Sequence, residues 1–288
     1  MDYADDDHLT RSLTELGDPD ALFGISRGRF LAKLGLGLGL MLFGAVANYF
    51  WWFRGPAGFG HLELLVLIVV PLSGGAMLVH MYRERGLHVL VYPAGLLRLR
   101  RGEVDSFPWH EVDHVLLNVN RAGDAEFVRG GDGELVACWL PVDVPTFQLW
   151  KAGLTVARGD GAVAHFGPAL TDYDALAEEV QRRTFEALWP AVRANFAAGR
   201  TIEFGDIEAS RRGLRYGGKA LPWADVKELA VAQGKLSVKQ GGKWLPWVLV
   251  DVKEVPNPHL LFALVSEAHR LALDPDPPRN EPHPQAAE

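Results

Sequence analysis

The sequence contains a histidine–glutamate–histidine pattern that is typical of a zinc-dependent active site. His110, Glu111 and His114 occupy an H-E-x-x-H spacing. On a helix this spacing places two imidazoles one turn apart on one face, where they bind Zn²⁺ while the glutamate activates a metal-bound water. One alternative for the function is therefore a zinc metallohydrolase that uses this segment.

The residues that follow the pattern favour a strand instead of a helix. The segment shows the alternation of apolar residues that is typical of a half-buried strand, at Val112, Val115, Leu117 and Val119. On a strand, residues four apart are about 13 Å distant, which is too far for two ligands of one zinc ion. No obvious third ligand follows in the sequence. We expect no metal or other cofactor.

Two groups of arginines form the second candidate site. Arg98, Arg100 and Arg101 lie on and beside one predicted hairpin, and Arg211 and Arg212 lie on the equivalent part of a second one. Guanidinium groups bind phosphate through paired hydrogen bonds, so these side chains predict contact with anionic lipid head groups. A solvated basic face is the alternative, because acidic residues lie close to both groups.

Charge and cysteine content exclude other classes of function. The formal net charge of the chain is -7, which argues against nucleic acid as a partner, since surfaces that bind nucleic acid are basic. The single cysteine, Cys138, excludes an intramolecular disulfide and a zinc–cysteine cluster. We interpret its thiol as a small buried core group, and the cysteine count fits a reducing compartment.

Two apolar runs near the N-terminus predict a membrane hairpin. Residues 34–53 and 62–82 are each about twenty residues long, the length that a helix needs to cross ~30 Å of hydrocarbon. The first run ends in an aromatic cluster, which is typical of a membrane–water interface. Basic residues flank the outer ends of the hairpin, whereas the connecting loop holds a single arginine. The positive-inside bias predicts a multi-pass protein of the inner (cell) membrane with both termini cytoplasmic.

A cleaved signal peptide is the competing interpretation of the first run. Residues 27–33 would be its charged region, 34–44 its apolar core, and Ala45-Val46-Ala47 its cleavage site. The sequence leaves this choice open, although the aromatic cluster would then directly follow the cut. A cleaved protein would keep the second helix and the same orientation.

Two segments more than a hundred residues apart share one pattern. The first runs from Gly95-Leu96 through a polar turn to Phe107-Pro108-Trp109, and the second from Gly213-Leu214 through a glycine turn to Leu221-Pro222-Trp223. An acidic residue, a valine and a predicted strand follow each tryptophan. The pattern indicates one domain type used twice, with both tryptophans buried at the start of a strand.

A helix is predicted after the strands of each copy. The first opens at residues 171–174 and runs past Pro190, which should kink or break it. The second opens at Asn257-Pro258, where an N-cap residue precedes a proline at the first helical position. An apolar stripe at helical spacing follows, so this segment is the clearest helix after the membrane runs.

Twisted strands closed by one amphipathic C-terminal helix resemble the pleckstrin-homology-like (PH-like) fold. The order of elements is similar to that of bacterial PH-like domains attached to membrane hairpins. Leu221-Pro222-Trp223-Ala224-Asp225, Phe204-Gly205 and Val255-Pro256-Asn257 resemble motifs of a family of uncharacterised bacterial membrane proteins. The resemblance spans roughly residues 85–273. It implies a fold and a membrane setting, and it carries over no catalytic residue.

These observations predict a membrane α-hairpin followed by an α+β soluble region with two PH-like barrel or sandwich domains, each closed by a C-terminal helix. The expected division is an acidic disordered tail (1–29), the hairpin (30–83), the first PH-like domain (85–198), the second (199–273) and a disordered proline-rich tail (274–288). The expected function is a non-enzymatic, membrane-tethered binding or scaffolding protein. Its partners would be the lipid bilayer and either anionic lipid head groups or a protein.

Overall fold

The structure is a computed structural model that describes residues 18–54, 61–119, 121–122, 124–143 and 153–273. Most of the predicted acidic tail, the loop between the apolar runs and the predicted proline-rich tail lie outside the described residues. The chain divides into two compact units. Unit 1 holds the described residues up to Pro108 together with Ala169–Tyr173, and unit 2 holds Trp109–Pro168 and the described residues from Asp174 onward. The predicted boundary at 198/199 lies inside unit 2.

Two long helices in unit 1 occupy the predicted hairpin. Helix α1 spans Arg27–Arg54, and helix α2 spans His61–Glu84. The two pack closely, since a Cβ atom placed on Gly44 of α1 would stand 2.8 Å from the ring of Pro71 in α2. Small residues allow this approach of two backbones, as they do between helices in membranes.

The outer faces of these helices are apolar and exposed. Among the described residues, one helix is long and apolar enough to cross a membrane, namely α1 over Phe30–Phe53. Only 17% of its most apolar stretch is buried, and Trp52 is 79% exposed. The apolar stretch of α2, Leu67–Val79, is shorter, and it also exposes large side chains such as Leu72. The structure therefore contains one candidate membrane-spanning helix near the N-terminus, with a second apolar helix packed against it.

A four-stranded antiparallel sheet in the order β1-β2-β3-β4 completes unit 1. Its strands are β1 (Ala21–Gly24), β2 (His88–Tyr92), β3 (Gly95–Arg100) and β4 (Glu103–Pro108). β1 precedes α1 in the chain and pairs with β2, which follows α2, so that Gly24 lies opposite His88. The helix pair is thus inserted between two neighbouring strands. The interpretation of all of residues 1–29 as a disordered tail was wrong at β1, because so short a strand gives no periodic signal.

The first part of unit 2 is a three-stranded sheet with a short insertion. The elements are β5 (Val112–Asn118), β6 (Arg121–Ala122), β7 (Glu126–Arg129), β8 (Leu135–Trp139), β9 (Val142–Asp143), β10 (Gly153–Arg158) and β11 (Val163–Phe166). β5, β10 and β11 pair in the order β11-β10-β5, and β7 pairs with β8 as a hairpin. All of these pairings are antiparallel.

The second part of unit 2 contains two further sheets. Its strands are β12 (Ile202–Phe204), β13 (Ile207–Ser210), β14 (Gly213–Tyr216), β15 (Lys219–Pro222), β16 (Val226–Ala232), β17 (Lys235–Gln240) and β18 (Pro246–Asp251). One sheet has the order β12-β13-β14-β15, and the other has the order β18-β17-β16-β6-β9. The predicted α+β class is confirmed. The described strands form open antiparallel sheets, and none of these sheets closes into a barrel.

The two tryptophans of the predicted repeat occupy similar local settings. Trp109 begins a 3₁₀ turn that leads into β5, and Trp223 begins a 3₁₀ turn that leads into β16. Their exposures are only 5% and 7%. The Trp223 indole N–H donates a hydrogen bond to the Ser210 carbonyl at 2.9 Å. The prediction that both tryptophans are buried and lead into a strand is confirmed.

Two helices follow the strand sets of unit 2. Helix α3 spans Tyr173–Ala197, and helix α4 spans Pro258–Leu273. α3 continues through Pro190, so of the expected kink or break the break was wrong, and the kink stays a prediction. Pro190 removes one backbone hydrogen bond, but it and the preceding turn at Glu186 are exposed, so water can satisfy the free carbonyl.

Asn257 fixes the start of α4 to β5. Its backbone N–H donates to the Val115 carbonyl at 2.8 Å, and its side-chain oxygen accepts from the Val115 N–H at 2.8 Å. Its side-chain amide also donates to the Asp113 carbonyl at 3.1 Å. The helix begins where predicted, at Pro258, but the asparagine amide bonds to a strand and not to the helix. The φ of Asn257 is 50°, and this left-handed backbone conformation allows its side chain to bond to β5.

Candidate functional site

The H-E-x-x-H residues lie at the beginning of a strand. His110 and Glu111 belong to the 3₁₀ turn, and His114 lies on β5. The His110 side chain is 79% exposed, and its Nε2 is 3.8 Å from Glu111. The His114 Nδ1 lies 2.8 Å from a carboxylate oxygen of Asp113. The strand start predicted for this segment is confirmed.

This geometry gives no support to the zinc metallohydrolase hypothesis. The two imidazoles do not share a helical face, which is what lets the H-E-x-x-H pattern bind zinc. Within the part of the chain that the structure describes, no group of three or more His, Cys, Asp or Glu side chains could hold a metal ion.

The arginines of the first hairpin bond to neighbours in unit 1. Arg98 on β3 donates hydrogen bonds of 2.9 and 2.6 Å to Asp105 on β4. Arg101, in the turn after β3, donates to the carbonyl of Tyr82, and its guanidinium carbon lies 4.3 Å from the centroid of that ring. Arg100, at the end of β3, is half-buried. The contacts of Arg101 tie the hairpin to the C-terminal end of α2.

The two arginines predicted in the second hairpin differ in their contacts. Arg211 donates to the carbonyls of Phe196 and Ala197 in the last turn of α3. A cation at that position is favourable, because the helix dipole and the free carbonyls concentrate negative charge there. Arg212 is exposed and makes no ion pair with another described residue. Arg98, Arg100 and Arg101 belong to unit 1, whereas Arg211 and Arg212 belong to unit 2, and the contact of these five arginines with lipid head groups stays a prediction.

A buried polar cluster joins β8, α3 and α4. His259 is fully buried, and its Nε2 lies 3.3 Å from the hydroxyl of Thr184. The Cys138 thiol donates to the His259 carbonyl at 3.3 Å. Burial lowers the pKa of His259 to about 3 and raises the pKa of Cys138 to about 12. A neutral imidazole and a protonated thiol away from solvent do not make a base and a nucleophile. The cluster is a structural one, as predicted for Cys138.

An open groove of about 500 Å³ lies between the C-terminal parts of α3 and α4 and the 3₁₀ turn of Trp223. We call it the arginine groove. Its lining is Arg193, Phe196, Ala197, Arg211, Trp223, Glu267, Ala268 and Arg270. The rings of Phe196 and Trp223 meet edge to face with centroids 6.2 Å apart. Apolar surface and three guanidinium groups thus meet in one concave site.

Glu267 is the acidic residue of this lining, and arginines surround it. Its side chain is 7% exposed and accepts hydrogen bonds of 2.8 and 3.2 Å from Arg270. Arg129 of β7 stands 3.8 Å away, and Arg193 stands 4.0 Å away. The hydrogen bonds from Arg270, with the charges of the other two arginines, hold the pKa of Glu267 below its ordinary value.

The local charge of the groove is opposite in sign to that of the whole chain. Arg193 also pairs with Glu134, which follows β7. Arg129, Arg193 and Arg270 lie close to the two carboxylates of Glu134 and Glu267, and Arg211 adds a fourth positive charge to the lining, whereas the chain carries a net charge of -7. A second groove of about 630 Å³, lined mainly by apolar residues of β8 and α3, meets the first at Arg193 and Ala197. An occupant of the arginine groove could therefore extend over an apolar surface.

Sequence reasoning singled out only Arg211 and Trp223 from this lining. Arg193 and Arg270 lie on separate helices, and each has the appearance of an ordinary exposed helical residue. The spacing of Glu267 and Arg270 is that of a common surface ion pair on a helix. Only the packing of α3 beside α4 brings these residues together, and no motif marks that contact in the sequence.

Comparison with known proteins gives one match. A family model with the description "Family of unknown function (DUF6585)" matches residues 143–272. The matched region contains Asn257 and the whole lining of the arginine groove. No curated protein and no solved structure matches the chain. Over residues 143–272, the chain is thus similar to a family of unknown function.

Proposed function

We propose that this chain is a non-enzymatic, membrane-attached binding protein that holds an acidic segment of a protein partner in the arginine groove. The observation that carries the proposal is the lining of the groove, in which aromatic and small apolar side chains lie among arginines that outnumber their carboxylate partners. Interface cores are commonly enriched in arginine and aromatic residues in this way.

The chemistry of the groove favours a carboxylate as the group that is bound. Arg270 already holds Glu267 through two of its nitrogens, which is the paired geometry that guanidinium offers to a carboxylate. The side chain of Arg193 is 41% exposed, so it can bind a further carboxylate from outside, beside those of Glu134 and Glu267. Of the arginines predicted to contact lipid phosphate, Arg98 and Arg101 bond to neighbours in unit 1, and Arg211 lines the arginine groove.

The membrane attachment in this proposal is a two-helix hairpin with both of its ends on one side. Gly24 and His88 are opposite each other in one sheet, so the chain enters α1 and leaves α2 at nearby points. If α1 crosses the bilayer, α2 must cross back. The basic residues at these ends favour the cytoplasmic side, and hence the inner (cell) membrane with both termini cytoplasmic. Cleavage after Ala47 would remove β1 from its sheet, so we propose that the chain is not cut there.

We also propose that the soluble parts are two PH-like domains. The support is the order of elements: β1 to β4 and β12 to β15 are both antiparallel meanders. Each meander is followed by a tryptophan-led 3₁₀ turn and a seven-residue strand. α3 and α4 follow these sets of strands along the chain, as the closing helix of a PH-like domain does.

Site-specific photocrosslinking in native membranes tests the binding function. The full chain would carry a benzophenone side chain in place of Ala197, an exposed residue of the groove. The proposal predicts a crosslink to an acidic segment of another protein. The control places the benzophenone at Ala187, which is exposed on α3 about 15 Å along the helix axis and outside the groove.

Two charge reversals make the test specific for the groove. Arg193→Glu should abolish the crosslink from Ala197, because it replaces an attractive charge with a repulsive one. Arg200→Glu, an equal change of charge at an exposed residue outside the groove lining, should leave the crosslink intact. Equal crosslinking from both benzophenone positions, or a crosslink that survives Arg193→Glu, would contradict the proposal.

A further inference from the structure

We propose that the loop between β17 and β18 inserts its tip into the membrane interface. The tip is formed by Lys243, Trp244 and Leu245 after a glycine pair. Trp244 is 96% exposed and Leu245 is 71% exposed. No other large apolar side chain among the described residues reaches the exposure of Trp244. The proposal rests on the membrane attachment proposed above, and it is independent of the arginine groove.

Nothing in the folding of this loop calls for a tryptophan and a leucine at the tip. The turn itself is made by Gly241 and Gly242, the latter with a φ of 72°. Backbone hydrogen bonds from Gly241 to Asp225 and from Lys243 to Gln240 hold the loop in place. The two apolar side chains contribute to no core, since both face solvent. Exposed apolar clusters of this kind commonly mark a surface that a membrane or a partner protein covers.

The residue types at the tip fit a bilayer surface better than a protein partner. Tryptophan is enriched at membrane–water interfaces, because its ring is apolar and its N–H can still bond to water or head groups. Leu245 adds apolar area, and the exposed Lys243 favours the anionic cytoplasmic leaflet. No acidic residue lies between Gly241 and Pro246. A lipid surface of net negative charge is therefore the occupant to which the loop is complementary.

One shallow tip would bind a free protein only weakly to a bilayer, but this chain is already attached to the bilayer in the proposal above. A membrane-spanning helix in the same chain turns the contact into an intramolecular event, with a high effective concentration of lipid. A Trp–Leu tip with one lysine is then sufficient to hold unit 2 on the bilayer.

Fluorescence of a labelled full-length chain tests the proposal. Leu245→Cys would carry an environment-sensitive nitrobenzoxadiazole label, and Cys138 would stay unlabelled because its thiol is buried with a pKa raised to about 12. The labelled chain would be reconstituted in vesicles of phosphatidylcholine and phosphatidylserine, with or without acyl-chain bromine. We expect a blue-shifted emission that brominated lipid quenches, and a loss of both effects in the same variant with Trp244→Asp.

The matched control places the label at Lys253→Cys, just beyond the other end of β18. That six-residue strand is ~20 Å long, so this label should show no quenching. Flotation of the vesicles after a carbonate wash reports membrane attachment separately. A chain that floats but shows no quenching at Leu245→Cys would overturn the tip proposal and leave the membrane attachment standing. Shielding of the label by a second copy, seen as a concentration-dependent blue shift without quenching, would also overturn it.

Discussion

Single polar residues hold unit 2 together at points where its elements cross. Asn257 is one such residue, because its three hydrogen bonds join the start of α4 to the edge of β5. The motif Val255-Pro256-Asn257 therefore has a structural explanation. Gly205, from another motif, has a φ of 66°, and a Cβ there would stand 2.6 Å from the Glu254 carbonyl oxygen. Asn257 and Gly205 both belong to motifs that resemble a family pattern, and in this structure both have a role in packing.

Replacement of Asn257 should show how much its hydrogen bonds contribute to the free energy of unfolding. Asn257→Ala should lower the free energy of unfolding by ~2–4 kcal/mol, since it removes two side-chain hydrogen bonds and forces alanine to a positive φ. Asn257→Gly should cost less, because glycine adopts that φ without strain. Urea unfolding of the full chain in detergent measures both. A loss no larger than that of Asn195→Ala, a half-buried residue of α3 whose side chain accepts one hydrogen bond from Arg200, would show that the bonds of Asn257 do not stabilise unit 2.

His259 should make the stability of unit 2 depend on pH. Its pKa is lowered to about 3 from an ordinary 6.5, so the unfolded chain binds a proton that the folded chain does not between these values. The free energy of unfolding should be highest above pH 6.5. It should fall by ~1.4 kcal/mol per pH unit as the pH is lowered from there towards 3.

Titration of the unfolding free energy checks this prediction. His259→Gln should reduce the slope of the unfolding free energy against pH, between pH 3 and 6.5, by ~1.4 kcal/mol per pH unit, which corresponds to one proton. The exposed control His110→Gln should retain the slope of the unchanged chain. If the slope of the unfolding free energy at acid pH persists in His259→Gln, groups other than His259 cause it.

At the scale of elements, α4 and the turn before it join the two halves of unit 2. The cluster of Cys138, Thr184 and His259 links β8 and α3 to α4, and Asn257 links α4 to β5. Unit 2 should therefore unfold in one transition.

Substitutions of the two turn tryptophans test that cooperativity. Trp109→Ala and Trp223→Ala should each cost ~3–5 kcal/mol and lower the same calorimetric transition, because both are buried in one unit. Trp223→Phe should cost only ~1–2 kcal/mol, since it keeps the aromatic contact with Phe196 and loses the hydrogen bond to Ser210. Two separate transitions, each affected by one substitution, would contradict the prediction.

The elements that the sequence predicted are those with a strong local signal. The lengths of the apolar runs predicted α1 and α2, and Asn257-Pro258 with its apolar stripe predicted α4. The Pro–Trp pairs predicted two strand starts. β1 was missed because four residues give no periodicity. The arginine groove was missed because it arises from contacts between distant elements, which no local pattern records.

For the whole molecule, the insertion of α1 and α2 between β1 and β2 is the feature that relates fold to function. It ties the apolar helices to a sheet at both of their ends, so that the proposed membrane segment is part of a folded unit. We propose that the exposed apolar faces of both helices contact lipid and that the grooves and loops of unit 2 lie on the cytoplasmic side.

A pair of reporter fusions tests this central claim most directly. A phosphatase that is active only outside the cytoplasm would be inserted between Arg54 and His61, or fused after Leu273, in the full chain. We expect the insertion to be active and the C-terminal fusion to be silent, with both proteins expressed in equal amounts and recovered in the membrane fraction. Silence of the insertion together with activity of the C-terminal fusion would contradict it, as would recovery of the chain in the soluble fraction.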